Sequence, residues 1–394
     1  MSAPRFVCLT NIPTPYRIFQ FLLMDRELTA RNWDFEVWFM ARSEPDRSWT
    51  FRESDFGFPH RFLRGLHWNP ARSSRHFNLE VIRCLRRTRP DVLLVAGSWT
   101  LPTVWLATLS MKTRTTIFWS ESHLASIQHP GRTSTLLRRL VLGRFKEFAV
   151  PGKLAREYVE ENAGRARIHD LPNLVDPALF GDRVNALRQT VRPWVERDHR
   201  TLLLVARLAP EKGFLQFLRG VRLLKKDERS RLHVVIAGDG PQRRLVQEQA
   251  LDLGIVLSGH KAGQELLDLY AEADGFCLPS LSDPNPLAVI EAIWAGLPLL
   301  LSSRVGNHPE CLVSGENGFL FDPLAPESVA GAISRWLSLR PGELSQFGNR
   351  SLEIAKQKFS PEAAVRQFLD QVLPTVRAIG AALDRKLTRH QAAG

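Results

Sequence analysis

The stretch DPNPLAVIEAIWAGLP, residues 283–298, decides the fold of this chain. Its large apolar residues recur at helical spacing, namely Leu287, Ile290 and Trp294. A proline stands just before them, where its missing N–H suits the start of a helix. Strand-like runs flank the stretch, Gly275–Pro279 before it and Leu297–Leu301 after it. This order of strand, helix and strand predicts a parallel sheet covered by helices.

The same alternation continues outward through almost all of the 394 residues. Residues 43–75 are irregular, and the run LPNLVDPALF (Leu171–Phe180) has the composition of a linker. We therefore expect two α/β units, residues 1–180 and 181–360, followed by a helix within residues 361–394.

The chain is strongly basic, with a formal net charge of +12. Residues 1–185 carry 27 Lys and Arg against 18 Asp and Glu, so most of the excess lies in the first half. Such a field favours anionic partners. Only four cysteines occur, far apart, which argues against a disulfide framework. The N-terminus lacks a signal-peptide pattern, and no run approaches the ~20 apolar residues of a spanning helix.

Two acids bracket the start of the helix in residues 283–298. Asp283 precedes the helix by about one turn, and Glu291 lies in it. Free backbone N–H groups at the start of a helix attract anions such as a diphosphate. Flanking carboxylates could then accept hydrogen bonds from sugar and ribose hydroxyls. The alternative is that Asp283 only caps the helix and Glu291 is a solvated side chain.

Two cations stand at another strand-to-helix turn, in VARLAPEKGF (Val205–Phe214). Arg207 follows a predicted strand and Lys212 comes just before a predicted helix, so together they could bind a diphosphate. The alternative is that both are ordinary surface charges. The glycine-rich AGDGP (Ala237–Pro241) lacks the third glycine of a dinucleotide fingerprint, because Arg243 occupies that position, and is interpreted as a tight turn.

The order and spacing of these segments resemble the retaining family-four GT-B glycosyltransferases over most of residues 200–335. The segments that carry the resemblance are RLAPEKGF, VIAGDGP, LYAEADGFCLPSLSDPNPLAVIEAIWAGLPLL and SRVGNHPECLVSGENGFLFDP. The resemblance implies a GT-B fold, with two Rossmann-like domains facing each other across a cleft. Residues 1–180 would bind the acceptor and residues 181–360 the nucleotide sugar. A C-terminal helix within residues 361–394 would pack back toward the first domain.

The resemblance also implies roles for individual residues. In the family an Arg and a Lys hold the donor diphosphate, and these match Arg207 and Lys212. Two glutamates spaced E-x7-E contact the donor sugar and the ribose; Glu291 matches the second, and Asp283, a shorter acid, stands at the first. Asn285 and Pro286 replace the usual Phe-Gly. We assign Asn285 and Leu287 to the donor site and Asp283 to catalysis.

The first half resembles the family more weakly. FWSESH (Phe118–His123) ends a predicted strand where the family often places a histidine facing the donor sugar. His123 and Glu121 are therefore rival catalytic candidates, against a purely structural role. Tyr16 and Arg17, in TNIPTPYR, are candidates for acceptor binding, against an exposed first helical turn.

The sequence indicates no metal site. It has no D-x-D motif, and its histidines show no H-E-x-x-H spacing. We therefore expect no metal and no cofactor, with Arg207, Lys212 and a helix dipole neutralising the diphosphate of a nucleotide-sugar donor.

The basic first half contains two segments that mix cations with apolar residues, RCLRRTRP (Arg83–Pro90) and LLRRLVLGRFK (Leu136–Lys146). Such a surface suits anionic lipid headgroups, although a solvated basic face would have the same composition. No nucleic-acid-binding motif accompanies the charge, so we expect no nucleic-acid partner. The predicted location is cytoplasmic, with possible peripheral contact on the inner face of a membrane.

Together these features predict a hexosyltransferase of glycan or polysaccharide biosynthesis. It would move a hexose from a nucleotide diphosphate sugar to a saccharide or lipid-linked acceptor, with retention. The alternatives are a GT-B epimerase or phosphorylase, or a catalytically silent glycan-binding member.

Overall fold

The computed structural model describes residues 3–44, 51–69, 74–110, 113, 115–127, 131–191 and 199–374. Two parallel sheets dominate it, each covered by helices on both faces. This confirms the predicted pair of Rossmann-like units. None of the described helices is both long and apolar enough to cross a membrane.

The first sheet has seven parallel strands in the order β3-β2-β1-β6-β7-β8-β9. They are β1 Arg5–Thr10, β2 Asp34–Phe39, β3 His60–Phe62, β6 Val92–Ala96, β7 Thr115–Trp119, β8 Glu147–Val150 and β9 Arg167–Asp170. A separate antiparallel hairpin pairs β4, Leu66–Trp68, with β5, Arg75–Phe77. Strand β6 is buried along its whole length and β7 is buried except at Thr116, as expected of strands covered on both faces.

The helices of the first half are α1 Pro15–Ala30, α2 Glu80–Thr88, α3 Pro102–Leu109, α4 Arg132–Leu142 and α5 Lys153–Ala163. Helix α1 packs on one face of the sheet, and α2 to α5 pack together on the other. Large side chains fill both layers; Trp38 and Trp119, for example, are almost fully buried. Burying such a side chain stabilises the fold by about 1.5–3 kcal/mol.

The second sheet has six parallel strands in the order β12-β11-β10-β13-β14-β15. They are β10 Arg200–Val205, β11 Leu232–Ala237, β12 Val256–Gly259, β13 Gly275–Leu278, β14 Leu299–Ser302 and β15 Gly318–Phe321. The helices are α6 Val184–Val191, α7 Phe214–Arg222, α8 Lys226–Ser230, α9 Arg243–Ala250, α10 Gly263–Glu272, α11 Leu287–Trp294, α12 His308–Cys311, α13 Pro326–Ser338 and α14 Pro341–Lys358.

A final helix, α15, spans residues 361–374 and packs against the core of the first sheet. Its apolar side chains join those of α1 and β1 in one buried cluster, namely Ala364, Val365, Phe368, Leu369, Val372 and Leu373. The remainder of the segment expected to be helical, residues 375–394, lies outside the described residues. The chain thus returns to the first half after completing the second.

The structure corrects several predicted boundaries. The sequence pattern predicts a helix over Phe77–Arg87, but Phe77 belongs to strand β5 and α2 begins at Glu80. Pro286 is the residue before α11 rather than its first residue. Strands β9 and β15 were not predicted; both are four-residue strands at the edge of their sheets.

Candidate active site

The carboxyl ends of the second sheet's strands carry the donor-site candidates. Arg207 follows β10, the loop that contains Asp283 follows β13, and Gly306 follows β14. In open parallel sheets ligands bind at this edge, because the loops there converge. The fold therefore brings together segments that are up to a hundred residues apart in the chain.

Lys212 and Asp283 form an ion pair at the centre of this edge. Lys212 Nζ donates to Asp283 Oδ2 at 2.5 Å, and both side chains are largely buried, 19% and 9% exposed. The hydroxyl of Ser280 lies 3.4 Å from the same carboxylate oxygen. Asp283 makes no capping hydrogen bond to α11, so the helix-cap alternative is wrong.

Arg207 lies beside this pair on the same loop. Its guanidinium donates to Glu211 Oε1 at 2.8 Å, and the side chain is 44% exposed. Burial raises the pKa of Glu211, but hydrogen bonds from its own backbone and from Arg207 outweigh burial and leave this pKa below its usual value. The site thus presents one exposed and one largely buried cation.

Backbone contacts hold the cation-bearing loop in place. The amides of Leu281 and Ser282 donate to the carbonyl of Glu211. A Cβ added at Gly213, whose φ is +70°, would lie 2.1 Å from the carbonyl oxygen of Pro279. Only glycine allows this approach, so the loops after β10 and β13 lie against each other.

The AGDGP turn supports the same loop from the other side. A Cβ at Gly238 would lie 1.9 Å from the Ala206 carbonyl oxygen, and one at Gly240 would lie 2.5 Å from that of Leu208. The interpretation of AGDGP as a tight structural turn is therefore confirmed.

Glu291 lies in the second turn of α11 and contacts α10. Tyr270 donates its phenolic O–H to Glu291 Oε2 at 2.7 Å. Burial raises the pKa of Glu291 to about 7, although the hydrogen bond from Tyr270 acts in the opposite direction. Glu291 is therefore not a freely solvated side chain, and that alternative is wrong.

The N-terminus of α11 faces this group of residues. Leu287 is its first residue, and the first N–H groups of a helix have no intrahelical acceptor. Asn307 is almost fully buried. Its side-chain Nδ2 donates to the carbonyl oxygen of Pro286 at 3.0 Å and lies 3.4 Å from Asn285 Oδ1. Asn307 therefore fixes the turn that leads into the helix.

His123, in the first half of the chain, contacts Asp283 in the second half. It follows β7, is only 2% exposed, and its Nε2 lies 3.3 Å from the backbone oxygen of Asp283. Its ring also lies so close to Gly306 that a Cβ there would be 2.9 Å from His123 Cδ2. Burial lowers the pKa of His123, so the neutral imidazole predominates at pH 7.

Arg17 and Glu121 form a second ion pair at the edge of the first sheet. The Arg17 guanidinium lies 3.5 Å from the ring centroid of Trp119 and is almost fully buried. Gln20 accepts from Arg17 and donates to the carbonyl of Pro172, in the linker segment. Arg17 is thus not part of an exposed helical turn; Tyr16, its half-buried neighbour, lies 5.4 Å from the guanidinium.

The structure therefore brings some candidates together and keeps others apart. Asp283 contacts both Lys212 and His123, whereas Arg17 and Glu121 form a separate pair. Sequence reasoning missed the partners Glu211, Tyr270 and Asn307. All three lie within the sequence segments that carry the resemblance. Their presence in these segments was the signal that could have identified them.

Within the described ranges no group of three or more His, Cys, Asp or Glu side chains is arranged to hold a metal ion.

Comparisons with known proteins bear on the family and the fold. Residues 191–353 match the family model described as glycosyl transferases group 1. The chain is 27% identical over 204 residues to the MMP alpha-(1->4)-mannosyltransferase of Mycolicibacterium hassiacum, covering 51% of this chain and 47% of that one. It is 29% identical over 180 residues to an uncharacterized glycosyltransferase of Methanocaldococcus jannaschii, covering 40% and 45%. The matches thus span about half the length of these curated relatives.

Among solved structures, Anabaena HepE in complex with UDP and glucose superposes with a TM-score of 0.70 at 14% identity, covering 94% of this chain and all of that one. The lipopolysaccharide outer core galactosyltransferase WaaB superposes with a TM-score of 0.67 at 15% identity, covering 93% and 99%. These likenesses concern the fold. The fold of the chain is GT-B, and its second half, residues 191–353, is similar to the group 1 glycosyl transferases.

Proposed function

We propose that this glycosyltransferase moves a hexose from a nucleotide diphosphate sugar to a hydroxyl of a saccharide or lipid-linked acceptor, with retention of the anomeric configuration. The observation that carries the proposal is the Lys212–Asp283 pair beside the N-terminus of α11, with His123 of the first half against it. Cations, a helix N-terminus and a buried acid next to one another suit a sugar linked to a diphosphate.

The donor diphosphate would bind between Arg207 and Lys212. Charge that develops on the diphosphate as the glycosidic bond breaks would be stabilised by these two cations and by the dipole of α11. We propose that no metal and no cofactor is required, because these groups supply the positive charge. Glu291, oriented by Tyr270, would accept hydrogen bonds from the ribose.

The ion pair itself suggests an order of events. Without donor, Asp283 is the anionic partner of Lys212. An incoming diphosphate would replace the carboxylate at Lys212 and release Asp283 to accept from the hydroxyls of the sugar. This exchange would couple diphosphate binding to sugar recognition. Asn285 and Leu287 would line the same pocket.

His123 would lie on the opposite wall of the cleft. As a neutral imidazole it can donate to, or accept from, a sugar or acceptor hydroxyl without adding charge. Glu121 is the rival for this catalytic role, but it is paired with Arg17. Tyr16 and Arg17 are proposed to orient the acceptor.

We propose a role in glycan or polysaccharide biosynthesis, on the cytoplasmic side of a membrane. Supporting this class, one relative is named lipopolysaccharide 1,2-N-acetylglucosaminetransferase of Salmonella typhimurium; it is 24% identical over 237 residues, which cover 57% of this chain and 61% of that one. The basic first half would suit an acceptor that carries a phosphate or diphosphate.

A thermal-shift panel of UDP-, GDP- and dTDP-sugars tests the proposal, because a ligand that binds the folded state raises its melting temperature. The stabilising donor is then incubated with the chain, with and without candidate acceptors. We expect one donor to stand out and to be consumed faster with an acceptor present. Turnover of the donor to an isomer without acceptor would indicate an epimerase, and no stabilisation by any donor would contradict the proposal.

A further inference from the structure

Helix α4, Arg132–Leu142, exposes an unusual surface for a helix of a folded domain. Leu136, Leu137 and Leu140 are 66%, 45% and 55% exposed on this short helix. Its inner face is buried through Arg138, Val141 and Leu142. We propose that the outer face of α4, the α4 surface, docks on an anionic lipid membrane and brings the cleft to acceptors held there. The second part of this proposal rests on the proposed function.

Cations surround the exposed leucines. Four exposed basic residues lie on α4 or just after it: Arg132, Arg139, Arg144 and Lys146. No acidic residue occurs in residues 131–146. A helix with leucines and cations on one face lies in the plane of a membrane interface, its apolar side chains among the acyl chains and its cations at anionic headgroups.

The positive surface continues beyond the end of α4. A surface depression of about 590 Å³ lies there, lined in part by Lys146, Arg165 and Arg167. The adjacent helix α5 carries the exposed acids Glu160 and Glu161, which bound the surface on that side. The cations beside the leucines thus continue into this depression.

An anionic lipid surface fits this charge better than a second copy of the chain does. Two-fold pairing through the α4 surface would bring the same cations of both copies together, which is repulsive. A membrane supplies both the negative charge and an apolar phase for the leucines. No described helix is long enough and apolar enough to span it, so the contact would be peripheral.

The position of α4 relates the membrane to the cleft. The chain leaves β7, passes Glu121 and His123, and then enters α4 at Arg132. Helix α4 therefore starts at the sheet edge that carries His123, and Leu136 lies only four residues further, about 6 Å along the helix. An acceptor with a lipid anchor could keep its tail in the membrane while its hydroxyl reaches the cleft.

Co-sedimentation of the full chain with lipid vesicles tests the docking without any substrate. The probes are vesicles of neutral phosphatidylcholine and vesicles in which about a third of the lipid is phosphatidylglycerol. The test variant is Leu136→Ser with Leu137→Ser and Leu140→Ser. The matched control is Leu223→Ser with Leu251→Ser and Leu324→Ser, three leucines of the second half with exposures of 52%, 77% and 55%.

We expect binding to the anionic vesicles, weaker binding to the neutral ones, and weakening by salt. The α4 variant should bind at least about tenfold more weakly, because each leucine that enters the acyl region contributes several buried CH₂ groups. The control variant should bind like the original chain. Arg132→Glu with Arg139→Glu should lose the preference for anionic lipid.

Equal vesicle binding by the original chain and the α4 variant would overturn the proposal, as would an equal loss in the control variant. A dimer in solution that the α4 variant disrupts would show that a second copy, not a membrane, occupies the surface. Nucleoside diphosphate binding, measured separately, tests the proposed function. Its absence alongside intact vesicle docking would contradict only the glycosyl transfer.

Discussion

The two halves of the molecule have the same architecture but treat their charged residues differently. At the edge of the second sheet, Arg207 is 44% exposed and Lys212 is held by a single acid. At the edge of the first sheet, Arg17 is enclosed by Trp119, Glu121 and Gln20. The second half thus keeps cations available to a ligand, whereas the first half has its central cation already satisfied.

The difference teaches that one fold can specialise its two sheet edges. A cation with one acidic partner can exchange that partner for a diphosphate at little cost. A cation that is stacked, paired and hydrogen-bonded would lose several contacts in the same exchange, so it is less suited to receive a diphosphate. We therefore infer that the donor diphosphate binds at the second edge and that Arg17 keeps its partners while it orients the acceptor.

Replacing Lys212 by alanine should have the largest effect on ligand binding. We expect the affinity for a nucleoside diphosphate to fall by about 2–3 kcal/mol, on the order of a hundredfold, because a charge-assisted contact is lost. Isothermal titration calorimetry measures this. Lys261→Ala is the control, since that lysine also pairs with an acid of the second half, Glu265, but lies on another loop.

Asp283→Ala should separate the two partners of the central pair. Nucleoside diphosphate affinity should be retained or rise, because Lys212 no longer has to leave the carboxylate, while discrimination between donor sugars should be lost. An equal loss of diphosphate affinity in the Lys212 and Asp283 variants would be evidence against the exchange.

Arg17→Met should affect the stability of the first half more than donor binding. We expect a loss of about 2 kcal/mol in the free energy of unfolding, because Glu121 and Gln20 lose a largely buried partner. Denaturant titration measures this loss. Arg26→Met, an exposed position on the same helix, should change stability little. If Arg17→Met lowered the affinity for a nucleoside diphosphate as much as Lys212→Ala does, the proposed difference between the two sheet edges would be wrong.

Glu291→Gln should give the smallest effect, and one that depends on pH. The raised pKa of Glu291, about 7, means that the folded state disfavours its ionised form. Below about pH 4.5 the carboxyl is largely neutral in both the folded and unfolded states and costs nothing; as the pH rises from about 4.5 to about 7, it ionises in the unfolded state first, and the wild type loses stability relative to the variant. Because the side chain is only partly buried, we expect no more than about 2 kcal/mol at pH 8.

Thermal unfolding from pH 4 to pH 8 tests the sign of this effect. The melting temperature of Glu291→Gln should be close to that of wild type at pH 4 and exceed it at pH 8. Tyr270→Phe removes the hydrogen-bond donor that lowers the pKa of Glu291. In this variant the loss of stability should therefore extend to higher pH than in the wild type. A variant advantage that shrinks as the pH rises would contradict the assignment.

The fold was predictable from the sequence because its signals are local. Val92–Ala96 and Leu232–Ala237, for example, are short apolar runs bounded by turn residues, a pattern that predicts strands, and the structure has strands with these bounds. Gly213 and Gly238 lie where two backbone segments approach too closely for a side chain. The glycines of these sequence motifs and the close contacts between the loops therefore have the same physical cause.

What the sequence could not provide is pairing across long separations. The Lys212–Asp283 pair joins residues 71 apart, and Arg17 and Glu121 are 104 apart. No local pattern encodes which acid a cation meets. The raised pKa of Glu291 likewise depends on burial against α10, which periodicity alone does not show.

The most direct test of the central claim is a crystal structure with a nucleoside diphosphate bound. We expect the terminal phosphate to lie within hydrogen-bond distance of Lys212 Nζ and near the Arg207 guanidinium, and the contact between Lys212 and Asp283 to be broken. A diphosphate bound elsewhere, or one bound while Lys212 still holds Asp283, would contradict the account.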